Sequence, residues 1–119
     1  MKRNYQMFVR DIWDSINKIE QFVEGLSFED FVNDDKTVSA VIRKLEIIGE
    51  ATKNIPSSTK QKYPQLNWRG MAGMRDKLIH NYFGVDFEKL WKVINEDIPN
   101  IKPLVKQILD DLENGGSTG

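Results

Sequence analysis

Six apolar residues near the start of the chain, Tyr5, Phe8, Ile12, Ile16, Ile19 and Val23, recur at spacings of three and four. Residues so spaced share one face of an α-helix and cannot all share one face of a strand. The stripe commits this segment to a long helix buried along one side. A second stripe, Val38, Val41, Ile42, Leu45 and Ile48, predicts another helix from about Lys36 to Asn54. No stretch alternates convincingly with a period of two, and no internal repeat is present. The chain therefore reads as all-α, an antiparallel up-and-down bundle of four to five main helices joined by short loops.

Local signals divide the bundle. Gly25 ends the first helix. Ser27 reads as the N-cap of a short helix through Val32, with Asp30 where a capping box carries its acid. Asn33-Asp34-Asp35 is a polar break. Gly49 falls on the main stripe of the second long helix, where an interior glycine costs ~1 kcal/mol relative to alanine; it would permit close approach of a neighbour. Ala40, Ile47 and Ala51 lie roughly opposite that stripe. A helix apolar on two sides is either central in its own bundle or pressed against another subunit, and the second reading is favoured in so short a chain. Pro56 closes the helix, and Ser57 to Tyr63 makes one or two turns. A helix is then predicted from Trp68 to Tyr82, broken by Gly84. Asp86 caps the next, Phe87 to about Glu96, and Asp97-Ile98-Pro99 opens the last, which ends near Glu113.

The length of 119 residues suits one helical domain, 1–114, followed by a flexible Gly/Ser tail, 115–119. An apolar share of 39% against a charged share of 29% fits a small bundle with solvated outer faces. The absence of cysteine excludes disulfides, thiolate metal sites and cysteine nucleophiles, and agrees with a cytoplasmic location. No apolar run approaches the ~18–20 residues of a membrane span, and Met1-Lys2-Arg3 leads into an amphipathic stretch rather than a signal peptide. The net charge of −1 argues against holding long nucleic acid by charge alone. An RNA-binding role would need a local patch, a dimer groove or a short substrate segment.

The chemistry-bearing residues concentrate in Met71-Ala72-Gly73-Met74-Arg75-Asp76-Lys77-Leu78-Ile79-His80-Asn81-Tyr82. Wound as a helix at about 100° per residue, this segment gives a core stripe of Met71, Met74, Leu78 and Tyr82. Arg75 would sit about 20° from Tyr82 and about 140° from His80, with Asp76 one turn before His80. Arg75 and His80 would then converge only if the helix unwinds near Gly84 or if two copies meet. An arginine beside a core stripe needs a counter-charge, and Glu46 and Glu50 are the candidates, with Arg43 completing the network. Singly, each residue has an ordinary structural role: a capping histidine, a snorkelling arginine, a tyrosine at the rim, glutamates on a solvated face.

Together they resemble a known signature. Arg75-x4-His80-x-Tyr82, with Asp76 after the arginine, resembles the motif of HEPN-domain ribonucleases, and more narrowly the HepT-like toxins encoded beside minimal nucleotidyltransferase antitoxins. The likeness extends to Arg43-Lys44-Leu45-Glu46-Ile47-Ile48-Gly49-Glu50-Ala51, Trp68, Val85-Asp86 and Asp97-Ile98-Pro99, and so to about residues 5–112. The resemblance implies a HEPN-like bundle and a homodimer with the motif at its interface. It further implies metal-independent RNA cleavage and control by a cognate nucleotidyltransferase, which in some members adenylylates the motif tyrosine, here Tyr82.

The residue types suit that chemistry. Cleavage through the RNA 2′-hydroxyl needs a proton-transfer group that titrates near working pH, and histidine fits best. His80 would move the proton, Arg75 would hold the phosphate, Asp76 would orient His80, and Tyr82 would position phosphate or nucleotide. The chain has one histidine, so a mechanism with separate acid and base histidines requires a second subunit. One histidine and no cysteine leave only carboxylates for a metal, with no compact cluster beyond Asp76, and no cofactor is expected. Two other classes fit: a non-catalytic helical partner of a nucleotidyltransferase, and a plain dimeric structural bundle.

Overall fold

The computed structural model describes residues 5–76, 78–80 and 84–115, with backbone alone at Ile79 and His80. Most of the expected tail, 116–119, lies outside the described residues. The fold is an all-α bundle. Helix α1 (Tyr5–Val23) buries Val9, Ile12, Ile16 and Ile19 against α3 (Asp35–Lys53), which answers with Val41, Leu45 and Ile48. Each large aliphatic so buried contributes roughly 1.5–3 kcal/mol relative to exposure. Between them, α2 (Phe28–Val32) opens on the expected capping box: Ser27 Oγ accepts from the Asp30 N–H at 3.0 Å, and Asp30 Oδ2 accepts from the Ser27 N–H at 3.4 Å. Asp34 caps α3 by accepting from the Thr37 N–H and hydroxyl at 3.1 and 2.6 Å. Those bonds hold its carboxyl below the usual carboxylate range.

Helix α3 is central within its own chain, packed on α1, α2 and α5. Of its second apolar side, Ala51 is buried within the chain. Ala40 and Ile47 remain half-buried.

The largest departure concerns the helix expected over 68–82. After α4 (Ser57–Lys62), helix α5 spans only Trp68–Ala72, with Gly73 as its C-cap. Beyond it the backbone closes tight three-residue turns: Met74 N–H to Met71 O (3.3 Å), Asp76 N–H to Gly73 O (3.1 Å) and Leu78 N–H to Arg75 O (3.0 Å). The Leu78 carbonyl, which in a continuing helix would accept from residue 82, accepts instead from the Asp86 N–H at 2.9 Å. A two-residue antiparallel pairing follows, β1 (Ile79–His80) with β2 (Gly84–Val85), His80 opposite Gly84. Gly84 has φ of 81°, which glycine adopts without a steric penalty. The helical angle expected between Arg75 and His80 therefore does not apply. Tyr82 itself lies outside the described residues.

The C-terminal half departs in the opposite sense. Instead of two separate helices, α6 (Phe87–Lys92) passes through a π turn (Val93–Asp97) directly into α7 (Ile98–Gly115). Pro99 has no N–H, and its ring would crowd the Asn95 carbonyl in a regular α-helix. The wider turn relieves this, and the Ile98 N–H bonds to Val93 O. No described helix is long and apolar enough to cross a membrane.

Candidate active site

Gly49 sets the position of the site. A Cβ built there would stand 2.9 Å from the Ala72 carbonyl oxygen, closer than real side chains allow, so only glycine lets the end of α5 rest on α3. The turn after Ala72 then carries Arg75 and Asp76 over the exposed side of α3. The result is an open cleft of about 290 Å³ lined by Arg43, Glu46, Gly49, Glu50, Lys53, Ala72, Arg75 and Asp76.

Glu46 is the residue that meets Arg75. Arg75 Nε lies 2.7 Å from Glu46 Oε2, in a pair whose side chains are 40% and 33% exposed. The Nε–H is not aligned on that oxygen and, among the described residues, is buried without another acceptor. The contact is thus an ion pair by distance rather than a well-formed hydrogen bond. With Nε sequestered, the Nη groups are the donors a ligand in the cleft can reach. Arg43 pairs with Glu46 from the other side, Nη1 to Oε1 at 3.3 Å. Glu50, also expected behind Arg75, pairs instead with Lys53 at 3.5 Å. Lys53 was not singled out from sequence; its place one turn beyond Gly49 on α3 was the available signal. Asp76 is well exposed, with Oδ1 at 4.0 Å from Arg75 Nη1. The backbone of His80 lies in β1; its side chain and Tyr82 fall outside the described residues.

A family model for Ribonuclease HepT-like proteins matches residues 12–108. The chain belongs to the HepT-like ribonuclease family. This HepT-like chain is 56% identical over 102 residues to the "Probable ribonuclease HepT" of Thermococcus cleftensis, covering 86% of this chain and 93% of that protein. It is 43% identical over 112 residues to "Putative RNase MJ0127" of Methanocaldococcus jannaschii, covering 94% and 93%. With "Putative RNase TTE0752" of Caldanaerobacter subterraneus it shares 51% identity over 87 residues, covering 73% and 78%. No solved structure matches. The matched span contains the whole α3–α5 cleft, β1, β2 and the π turn of this HepT-like protein.

Proposed function

We propose that this HepT-like chain is a metal-independent endoribonuclease, the toxin of a toxin–antitoxin pair that acts in the cytoplasm and is restrained by a cognate minimal nucleotidyltransferase. The observation that carries the reading is Arg75, fixed over α3 by Glu46 with its Nη groups left to a solvent-open cleft. A planar guanidinium so held suits a phosphodiester, which it can grip with two parallel N–H donors.

In the reaction, His80 takes the proton from a ribose 2′-hydroxyl, whose oxygen attacks the adjacent phosphorus. The bond from phosphorus to the 5′-oxygen breaks, and that oxygen leaves with a proton. The products are a 2′,3′-cyclic phosphate and a 5′-hydroxyl. Arg75 offsets the charge that grows on the phosphoryl oxygens. Asp76 orients His80, and Tyr82 positions the phosphate and is the group its partner adenylylates. Because each chain supplies one histidine, the proton donor to the leaving oxygen comes from a second copy, and the active species is a homodimer.

Purified protein is expected to cut RNA in EDTA and leave cyclic phosphate ends, and a folded His80→Ala variant to cut none. Cleavage unchanged in that variant sinks the assignment. Sedimentation at micromolar concentration should give a dimer; an active monomer removes the shared-site account.

The cleft lining favours one rival. Arg43, Lys53 and Arg75 are balanced by Glu46, Glu50 and Asp76, a neutral set for a phosphate-binding site. A non-catalytic partner of a nucleotidyltransferase would show this balance too. It would bind that enzyme and leave RNA intact under all conditions tested.

A further inference from the structure

A second cleft, of about 240 Å³, opens on the far side of the same segment. Its floor is Met71 and Met74, which are 2% and 4% exposed, so Met74 faces this cleft while its neighbour Arg75 faces the other. Asp97, Asn100, Ile101 and Leu104 line the opposite wall. Their spacing is that of one helix face, and it begins at the last residue of the π turn. The rim is polar. Among the described residues the side chains of Gln65, Asp97 and Asn100 have no hydrogen-bond or ion-pair partner. Asn67 spends its Oδ1 on the Gly70 N–H at 2.9 Å, which leaves its amide N–H groups free.

We propose that this cleft takes a single nucleobase bearing an exocyclic amino group, one base of the RNA that the ribonuclease reading assigns to the neighbouring site. The volume lies below the roughly 300 Å³ at which pockets for larger ligands begin, so one heterocycle fits better than a folded nucleotide. Methionine thioethers form a polarizable floor that suits a flat ring. The Asp97 carboxylate only accepts. Adenine, cytosine and guanine offer it an exocyclic amino group, whereas uracil offers only an N3–H set between two carbonyl oxygens that repel the carboxylate, so the amino-bearing bases are preferred. The inference rests on the RNA-cleaving reading for its biological sense, yet its test does not need cleavage.

The chain's four methionines include the two on the floor, so selective ¹³C-methyl labelling reads the cleft directly. Titration with the 5′-monophosphates of adenosine, cytidine, guanosine and uridine should shift the Met71 and Met74 methyl signals and leave that of Met7, on the exposed face of α1, in place. Uridine should bind about tenfold more weakly than the best of the others, the scale of one net hydrogen bond. Ribose 5-phosphate should shift neither floor methionine. Leu104→Trp should fill the cleft and abolish the shifts; Asn100→Ala, at an exposed position, should weaken them should the tryptophan variant unfold. Asp97→Asn should erase the handicap of uridine. The proposal is overturned if none of the four nucleotides moves Met71 or Met74 at millimolar concentration, or if Met7 moves equally. An Arg75→Ala chain that cuts no RNA but keeps the shifts supports this site. His80-dependent cleavage with unmoved floor methionines overturns it and leaves the ribonuclease reading standing.

Discussion

Gly49 and Ala72 meet so closely that a single methyl group on Gly49 would stand 2.9 Å from the Ala72 carbonyl oxygen. That oxygen is backbone and cannot swing aside. Gly49→Ala would gain ~1 kcal/mol in helix propensity and incur an overpacking cost of typically 1–3 kcal/mol. The expected net result is a less stable chain, measured by urea denaturation. Because the displaced segment leads straight into Arg75, the RNA cleavage proposed for this chain should fall further than the folded fraction does.

Glu46→Gln isolates the positioning of Arg75. Both partners are partly exposed, so the ion pair stabilises the fold by less than about 1 kcal/mol, and the melting temperature should barely move. The tether, however, is lost. Activity is expected to drop about tenfold or more, mainly in kcat, by the sensitivity of phosphate-holding groups to small misplacement. Equal activity with native stability would show that Glu46 does not position Arg75.

Apolar spacing made much of this fold legible, and its limits are specific. The stripe from Tyr5 to Val23 pointed to α1 and its buried face, and Ser27 with Asp30 to the capping box. Gly49 signalled a close neighbour, and Arg75 signalled a need for a counter-charge that Glu46 meets. The expected helix over 68–82 is a different matter. Met71, Met74 and Leu78 are all buried as their spacing requires. Successive three-residue turns carry side chains inward at nearly the same interval as a helix does, so periodicity named the inward residues without naming the backbone. What ended the helix was Gly73 and the claim of Asp86 on the Leu78 carbonyl, a bond eight residues long that no local pattern announces. The π turn was hidden for a similar reason: Pro99 reads equally well as a helix start.

Tyr63 predicts an alkaline limit. Its hydroxyl donates to Asp111 Oδ2 at 2.6 Å, tying the end of α4 to α7. Burial, then the Asp111 carboxylate, pushes its pKa from 10.0 up to about 12. The folded state thus favours the protonated phenol. Its contribution is complete below about pH 10 and is lost as pH rises towards about 12. Tyr63→Phe should be less stable than the native chain at neutral pH, and the gap should close across that window, as followed by urea midpoints at stepped pH.

Phe31 is fully buried, with its ring 5.1 Å from that of Trp91. Phe31→Ala should cost about 3–5 kcal/mol. It should also alter tryptophan emission before global unfolding, since it removes one wall of the Trp91 environment. Calorimetry and fluorescence read the two effects separately.

The π turn at Val93–Asp97 has a further consequence. It stores one surplus residue inside an otherwise unbroken rod from Phe87 to Gly115, and so sets the two halves out of phase by about 100°. Trp91 can face Phe31 on one side while Asp97 and Asn100 face the second cleft on another. Such a segment behaves like a vernier: the identity of its residues can drift, but its length cannot. Removing any one residue between Val93 and Asp97 would rotate everything after it, and the bundle would keep its hydrophobic sequence while losing its alignment.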